Sequence, residues 1–304
     1  MNRGILYGLC AYVLWGLLPI YWKALGNVPA QEILAHRVVW ALLVLTGLLT
    51  ATRHWRWIRT LRTDPATFFT FVVMALLLGG NWFTYIWAVN AGFVVETSLG
   101  YFITPLINVL MGVLLLREEV RLPQWVAVGL AGLGVLYLTV SYGALPWIAL
   151  VLAFTFSLYG LVKKQARLNA LEGLSLEMAL LFLPALGYLL WLGSQGQAAF
   201  GSSLSTTLLL AGTGITTAVP LLCFAGAARR IPLSTLGFLQ YLAPTLQFLL
   251  GVLLYKEPFT QARMIGFGII WIALAIYSAE GYLAHRRRAR QPQYPTLTPT
   301  NPSS

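Results

Sequence analysis

The stretch SLGYFITPLINVLMGVLLLRE, residues 98–118, is an apolar run that is interrupted by Pro105, Gly112 and Glu118. The same three residue types return with the same spacing later in the chain, at Pro244, Gly251 and Glu257. The four residues Thr235-Leu-Gly-Phe of the later copy also match Ser98-Leu-Gly-Tyr of the earlier one. A repeat of this length inside an apolar chain predicts two related halves.

The composition indicates that the surface of the protein meets lipid rather than water. Of 304 residues, 58% are hydrophobic and only 10% are charged, and the mean hydropathy is +0.74. A soluble domain would carry about 25% charged residues. The apolar runs are continuous over about 20 residues, the length of a membrane-spanning helix, and do not alternate as β-barrel strands do.

We therefore predict an all-α integral membrane protein with ten transmembrane helices and short loops. The first apolar run is too long and too aromatic for the core of a signal peptide, so we expect a retained helix there. The predicted spans are 4–22, 33–51, 67–90, 97–116, 122–140, 145–162, 174–192, 206–227, 233–255 and 261–280.

The basic residues predict the orientation of these spans. If the N-terminus is cytoplasmic, most of the 20 Lys and Arg residues fall on the cytoplasmic side, as the positive-inside rule requires. The exceptions are Lys23, Arg37, Lys256 and Arg263. The net charge of +11 is thus explained by the positive-inside rule, and we expect no nucleic-acid partner. Both termini are predicted to be cytoplasmic.

Five spans in each half oblige the second half to enter the membrane from the opposite side, so the repeat is inverted. We predict one five-helix repeat over 1–140, a second over 141–283, and a basic, disordered cytoplasmic tail over 284–304. Inverted repeats are typical of transporters, in which two related halves expose one central site to either side of the membrane.

Polar residues inside the spans are the first candidates for a solute site, because they are costly in hydrocarbon. Asn81 and Tyr85 share one helical face in the third span, next to Trp82. They either contact a solute or, in the case of Asn81, hold two helices together.

The repeated stretch supplies the second group of candidates. Tyr101, Thr104 and Asn108 share a face of the fourth span, and Pro105 leaves one backbone carbonyl without its helical donor. The ninth span repeats this arrangement with Gln240, Tyr241, Pro244 and Gln247. The alternative is a kinked helix whose freed groups bond within the bundle.

His36 and Arg37 lie near the predicted outer surface, with Glu32 one turn earlier. Arg37 either extends to the lipid headgroups or attracts an anionic group, and His36 is suited to titrate near neutral pH. Among the many aromatic residues, the mid-span Trp15, Trp82 and Tyr159 are candidates for the lining of a cavity.

An enzyme is the first competing class. Asp64 is the only Asp, the three His are far apart in sequence, and Cys10 and Cys223 lie inside apolar runs. We therefore expect no catalytic residue, no metal and no cofactor. A structural or regulatory membrane subunit is the other alternative, although it would not need an inverted repeat.

Seven short motifs in order resemble the RarD family, the chloramphenicol-sensitive proteins, within the EamA branch of the drug/metabolite transporters. They are AYVLWG (11–16), EILAHR (32–37), GGNW (79–82), IWAVN (86–90), SLGYFI (98–103), PLLCF (220–224) and LSTLGF (233–238).

The resemblance implies two five-helix repeats in a bacterial inner membrane around a central cavity. It implies export of a small organic solute such as an amino acid, a metabolite or a drug. We expect that solute and the lipid bilayer as partners, with a dimer as one form of assembly. The resemblance carries over no catalytic residue, and Pro105, Glu118, Pro244 and Glu257 match its repeated positions as structural or gating elements.

Overall fold

A computed structural model describes residues 2–91, 93–143, 145–255 and 261–290, and every regular element in those ranges is helical. Eight of the helices are long and apolar enough to cross a membrane, judged by length and composition. The helices are α1 (Arg3–Ala24), α2 (Ala30–Ala51), α3 (Trp57–Thr63), α4 (Pro65–Asn90), α5 (Val94–Leu116), α6 (Leu122–Tyr142), α7 (Trp147–Gln165), α8 (Ala170–Ser194), α9 (Leu204–Ala228), α10 (Leu233–Gln240), α11 (Leu242–Leu249) and α12 (Gln261–Arg290).

The predicted spans coincide with these helices, except that the ninth span is broken. It consists of α10, α11 and a π-helical turn, Leu250–Leu254. Pro244 explains the break, because it lacks an N–H and its ring crowds the carbonyl of Gln240, where α10 ends. Pro105 lies inside a continuous α5, so the two matched prolines differ in their local effect.

Two further differences from the prediction concern α3 and α12. α3 is a short helix in the link between α2 and α4 that the apolar runs did not predict. α12 continues to Arg290, past both the predicted end of its span and the predicted start of the tail. Residues 291–304 and Glu257 lie outside the described residues, so the rest of the tail and that gating position stay predictions.

The helix pairs follow the symmetry of an inverted repeat. If α1, α2, α4, α5 and α6 correspond to α7, α8, α9, α10–α11 and α12, most of the observed pairs have an exchanged counterpart. α1 packs on α9 as α7 packs on α4, and α5 packs on α7 as α11 packs on α1. The pairs α2 with α8, α6 with α12, and α5 with α10 map onto themselves. The two halves are therefore related by a two-fold axis in the membrane plane.

The two proline-bearing segments meet at this axis. A Cβ on Gly237 of α10 would lie 2.7 Å from the carbonyl oxygen of Pro105, so only glycine permits this approach. The hydroxyl of Tyr241 donates to the carbonyl of Phe102 at 3.2 Å. The repeated stretch thus forms the contact between the halves.

Candidate functional site

A cavity of about 360 Å³ lies between the two halves. It is lined by α1, α2, α4 and α5 of the first half and by α7, α9, α10 and α11 of the second. Apart from Tyr12 and Phe156, which lie near the middle of α1 and α7, the lining residues of α1 and α4 come from the C-terminal halves of those helices, and those of α5 and α7 from the N-terminal halves. The cavity therefore lies toward the end of the bundle where α1 ends and α2 begins.

Nine of the predicted solute-site residues line this cavity, together with Pro244. They are Trp15, Arg37, Asn81, Trp82, Tyr85, Tyr101, Thr104, Gln240 and Gln247. The structure thus brings together residues from distant parts of the chain that were selected on separate grounds.

Arg37 is the cationic residue in this lining. Its Nε donates to Oγ1 of Thr217 at 3.1 Å. The guanidinium carbon lies 4.5 Å from the ring centroid of Trp82 and 5.2 Å from that of Trp22, within the range of a cation–π interaction. Arg37 therefore points into the bundle and not toward the headgroups.

Asn81 has the helix-joining role, one of the two roles that the sequence allowed. Its Nδ2 donates to the carbonyl of Leu152 at 2.8 Å and to Oγ1 of Thr155 at 2.9 Å. Asn81 thereby holds α4 against α7, and it also lines the cavity.

Gln247 bonds a backbone carbonyl that a proline leaves without its helical donor. Pro19 lacks the N–H that would bond the carbonyl of Trp15, and Nε2 of Gln247 donates to that carbonyl at 3.2 Å. This bond joins α1 to α11 at the cavity wall.

Four predicted residues lie outside the cavity lining because their side chains contact other parts of the bundle. Asn108 is buried and donates from Nδ2 to Oε1 of Gln240 at 2.9 Å. Tyr241 is buried against Phe102, as described above. Tyr159 donates its hydroxyl to Oε2 of Glu177 at 2.8 Å.

His36, the fourth, is 5% exposed and belongs to a cluster at the link between α8 and α9. Its Nδ1 accepts from Trp40 at 3.2 Å, and its ring stacks on Phe200. Its Nε2 lies 3.8 Å from Oε1 of Glu32. That oxygen accepts from the backbone amides of Ala199 and Phe200 at 2.8 and 3.2 Å. The cluster secures the loop at this end of the bundle.

Glu118, predicted as a structural or gating element, connects the two halves. It follows α5, but its carboxylate accepts from the backbone amides of Leu233 and Ser234 at 2.6 and 2.9 Å. The Ser234 hydroxyl donates to it at 2.8 Å. Glu118 thus caps the N-terminus of α10, at the end of the bundle opposite the cavity.

The sequence did not single out the remaining lining residues as a cavity wall. Trp22 reads from sequence as an interfacial aromatic, and the apolar residues carry no polar signal. Pro19 could have been found by the rule that was applied to Pro105. The full set is Tyr12, Leu18, Pro19, Trp22, Thr97, Gly100, Leu152, Phe156, Leu221 and Ala243.

Comparison with known proteins agrees with this architecture. The model of the EamA-like transporter family matches residues 2–140 and 145–279. A protein named RarD from Streptomyces exfoliatus is 51% identical over 95% of this chain and 92% of its own length. An uncharacterized transporter of Vibrio cholerae is 46% identical over 95% of this chain and 97% of its own length. A solved crystal structure superposes with a TM-score of 0.71 at 21% identity, over 91% of this chain and 97% of that one.

Long apolar helices in two symmetry-related halves around one cavity define a multi-pass membrane protein of the transporter class. The chain belongs to the EamA-like transporter family, whose domain occurs twice along it.

Proposed function

We propose that this protein exports a small organic solute across the bacterial inner membrane by alternating access around the central cavity. The observation that carries the proposal is the cavity itself. Helices of both inverted repeats line it, and its volume lies at the small end of the range for ligand sites, about 300–1,000 Å³.

Other features support the proposed orientation, the direction of transport and the non-catalytic role. The placement of Lys and Arg supports cytoplasmic termini, and the cavity then lies toward the outer side. The direction of export rests on the family resemblance. The transporter names of the relatives support a role without catalysis.

The test is solute flux in proteoliposomes with a variant that fills the cavity. Leu18 lines the cavity, whereas the adjacent Leu17 is 41% exposed on the outside of the bundle. Leu18→Trp should lower the flux of a transported solute at least about tenfold, the factor that corresponds to about 1.4 kcal/mol. Leu17→Trp adds the same volume on the outer face of the same helix and should stay near the wild-type flux.

A panel of labelled amino acids, organic acids and amines, loaded for counterflow, supplies the solutes. Flux that exceeds protein-free vesicles and is lost selectively in Leu18→Trp supports the proposal. The proposal fails if no solute in the panel exceeds the protein-free vesicles, or if both variants transport equally.

A further inference from the structure

Arg37 places a permanent positive charge beside the cavity. Arg remains protonated under all physiological conditions, and a charge inside a membrane bundle is costly unless it is paired or solvated. Among the described residues no carboxylate lies within 4.0 Å of Arg37. Its neighbours among the described residues are uncharged: the Thr217 hydroxyl accepts from it, the rings of Trp22 and Trp82 lie against it, and Tyr85 and Tyr101 lie within electrostatic range.

The guanidinium has unused hydrogen-bonding capacity. Nε is taken by Thr217, and in the part of the chain that the structure describes the two terminal amino groups donate to no protein acceptor. Those two groups form a planar fork that matches the two oxygens of a carboxylate.

The described part of the cavity wall has no negative charge that would attract a cationic solute. The described residues of the lining include no Asp or Glu, and the polar ones are neutral: Asn81, Tyr85, Thr97, Tyr101, Thr104, Gln240 and Gln247. Aromatic and aliphatic side chains supply most of the remaining wall. Trp15, for example, packs edge-on against Phe156 with ring centroids 6.0 Å apart.

We infer that the cavity selects a small carboxylate-bearing solute with an apolar or aromatic body, and that Arg37 binds its carboxylate. The inference rests on the proposed function, because it takes the cavity as the solute site. It narrows the solute from organic compounds in general to organic acids. The matching amide has no charge for Arg37, and the matching amine would be repelled by it.

Three probes of nearly one shape test the inference: phenylpropanoate, phenylpropanamide and phenylpropylamine. Binding to the purified full-length protein is followed by the fluorescence of the cavity tryptophans, and flux is followed in proteoliposomes. A hydrogen-bonded charge pair contributes about 1.5–3 kcal/mol, so phenylpropanoate should bind about 10- to 100-fold more tightly than the amide.

Variants of Arg37 test whether this residue causes the preference for the acid. Arg37→Gln should abolish the preference for phenylpropanoate and leave binding of the amide close to wild type, which also shows that the cavity is intact. Arg37→Lys keeps the charge without the fork and should retain part of the preference. Arg121→Gln is the matched control, because Arg121 pairs with Glu280 on the surface, 2.6 Å away.

The inference is overturned if wild-type protein binds the acid and the amide equally, or if Arg37→Gln retains the preference. If Arg37→Gln does not fold, equal preference in Arg37→Lys and wild type overturns the bidentate role. Flux of amines or amides without flux of acids overturns the inference and leaves the transport function standing. Binding of acids through Arg37 without flux of any solute supports the inference about the binding site and overturns the proposed transport function.

Discussion

Lys163 and Glu177 form an ion pair between α7 and α8, with Nζ 2.5 Å from Oε1. Both side chains are almost fully buried, and the Tyr159 hydroxyl completes the carboxylate's hydrogen bonds. A charge in such a place is tolerated only while its partner is present. The pair therefore links the first two helices of the second half.

Removing one partner should destabilise the protein strongly. We expect Lys163→Met to lower the free energy of unfolding by about 3–5 kcal/mol, because Glu177 would stay buried without its cation. Combining Lys163→Met with Glu177→Leu should recover most of the loss. Thermal unfolding in detergent is the measurement.

Arg167→Gln is the control for this prediction. Arg167 pairs with Asp64 on the surface, where its side chain is 74% exposed, and such pairs contribute about 0–1 kcal/mol. Equal losses from Lys163→Met and Arg167→Gln would contradict the role given to the buried pair.

At the scale of residues, sequence could identify candidates but not their surroundings. Polarity inside an apolar run marked Arg37 and Asn81, and both line the cavity. Neither that criterion nor the mid-span position of an aromatic residue could show that Asn108 and Tyr159 lie outside the lining, because their bonding partners, Gln240 and Glu177, come from other helices. Glu177 lay near the predicted start of its span, and its burial depends on Lys163 of α7.

At the scale of elements, the N-terminus of α10 is capped by the other half of the molecule. The carboxylate of Glu118 bonds two backbone amides of α10 and also lies 3.7 Å from Nζ of Lys164. A Cβ on Gly112 would lie 2.6 Å from Oε2 of Glu118. The repeated Gly and Glu of the opening stretch thus form one contact.

Glu118→Ala should uncover the N-terminus of α10 and lower stability by about 1–2 kcal/mol, the usual cost of losing a cap with a favourable charge. The adjacent Glu119 is exposed, so Glu119→Ala should change stability by less than about 0.5 kcal/mol. Chemical unfolding of the purified variants measures both values. The assignment fails if Glu119→Ala costs as much as Glu118→Ala.

The extents of the elements were largely predictable from the sequence. Runs of about 20 apolar residues are set by the thickness of the bilayer, and this criterion located the ten spans. It could not locate α3, which is too short and too charged to form an apolar run. It also could not show that Pro244 divides its span and Pro105 does not, since neighbouring helices decide whether freed backbone groups are satisfied.

At the scale of the whole molecule, the repeat predicted two halves but not the shape of the space between them. A soluble helix reveals its buried face by a stripe of apolar residues. A membrane helix is apolar toward lipid as well as toward its neighbours, so the sequence leaves its rotation open. Leu17 and Leu18 illustrate this, because only the contacts of the bundle place Leu18 in the cavity.

The central claim is that this cavity opens alternately to the two sides of the membrane. Cysteine accessibility tests it most directly, after the free thiols Cys10 and Cys223 are replaced by Ser and Leu18→Cys is introduced. In oriented vesicles, a membrane-impermeant thiol reagent should label Leu18→Cys from either side, and a transported solute should slow the labelling. Leu17→Cys, on the outer face of α1, should stay unlabelled. Labelling of Leu18→Cys from one side only, unchanged by any solute, would contradict alternating access around this cavity.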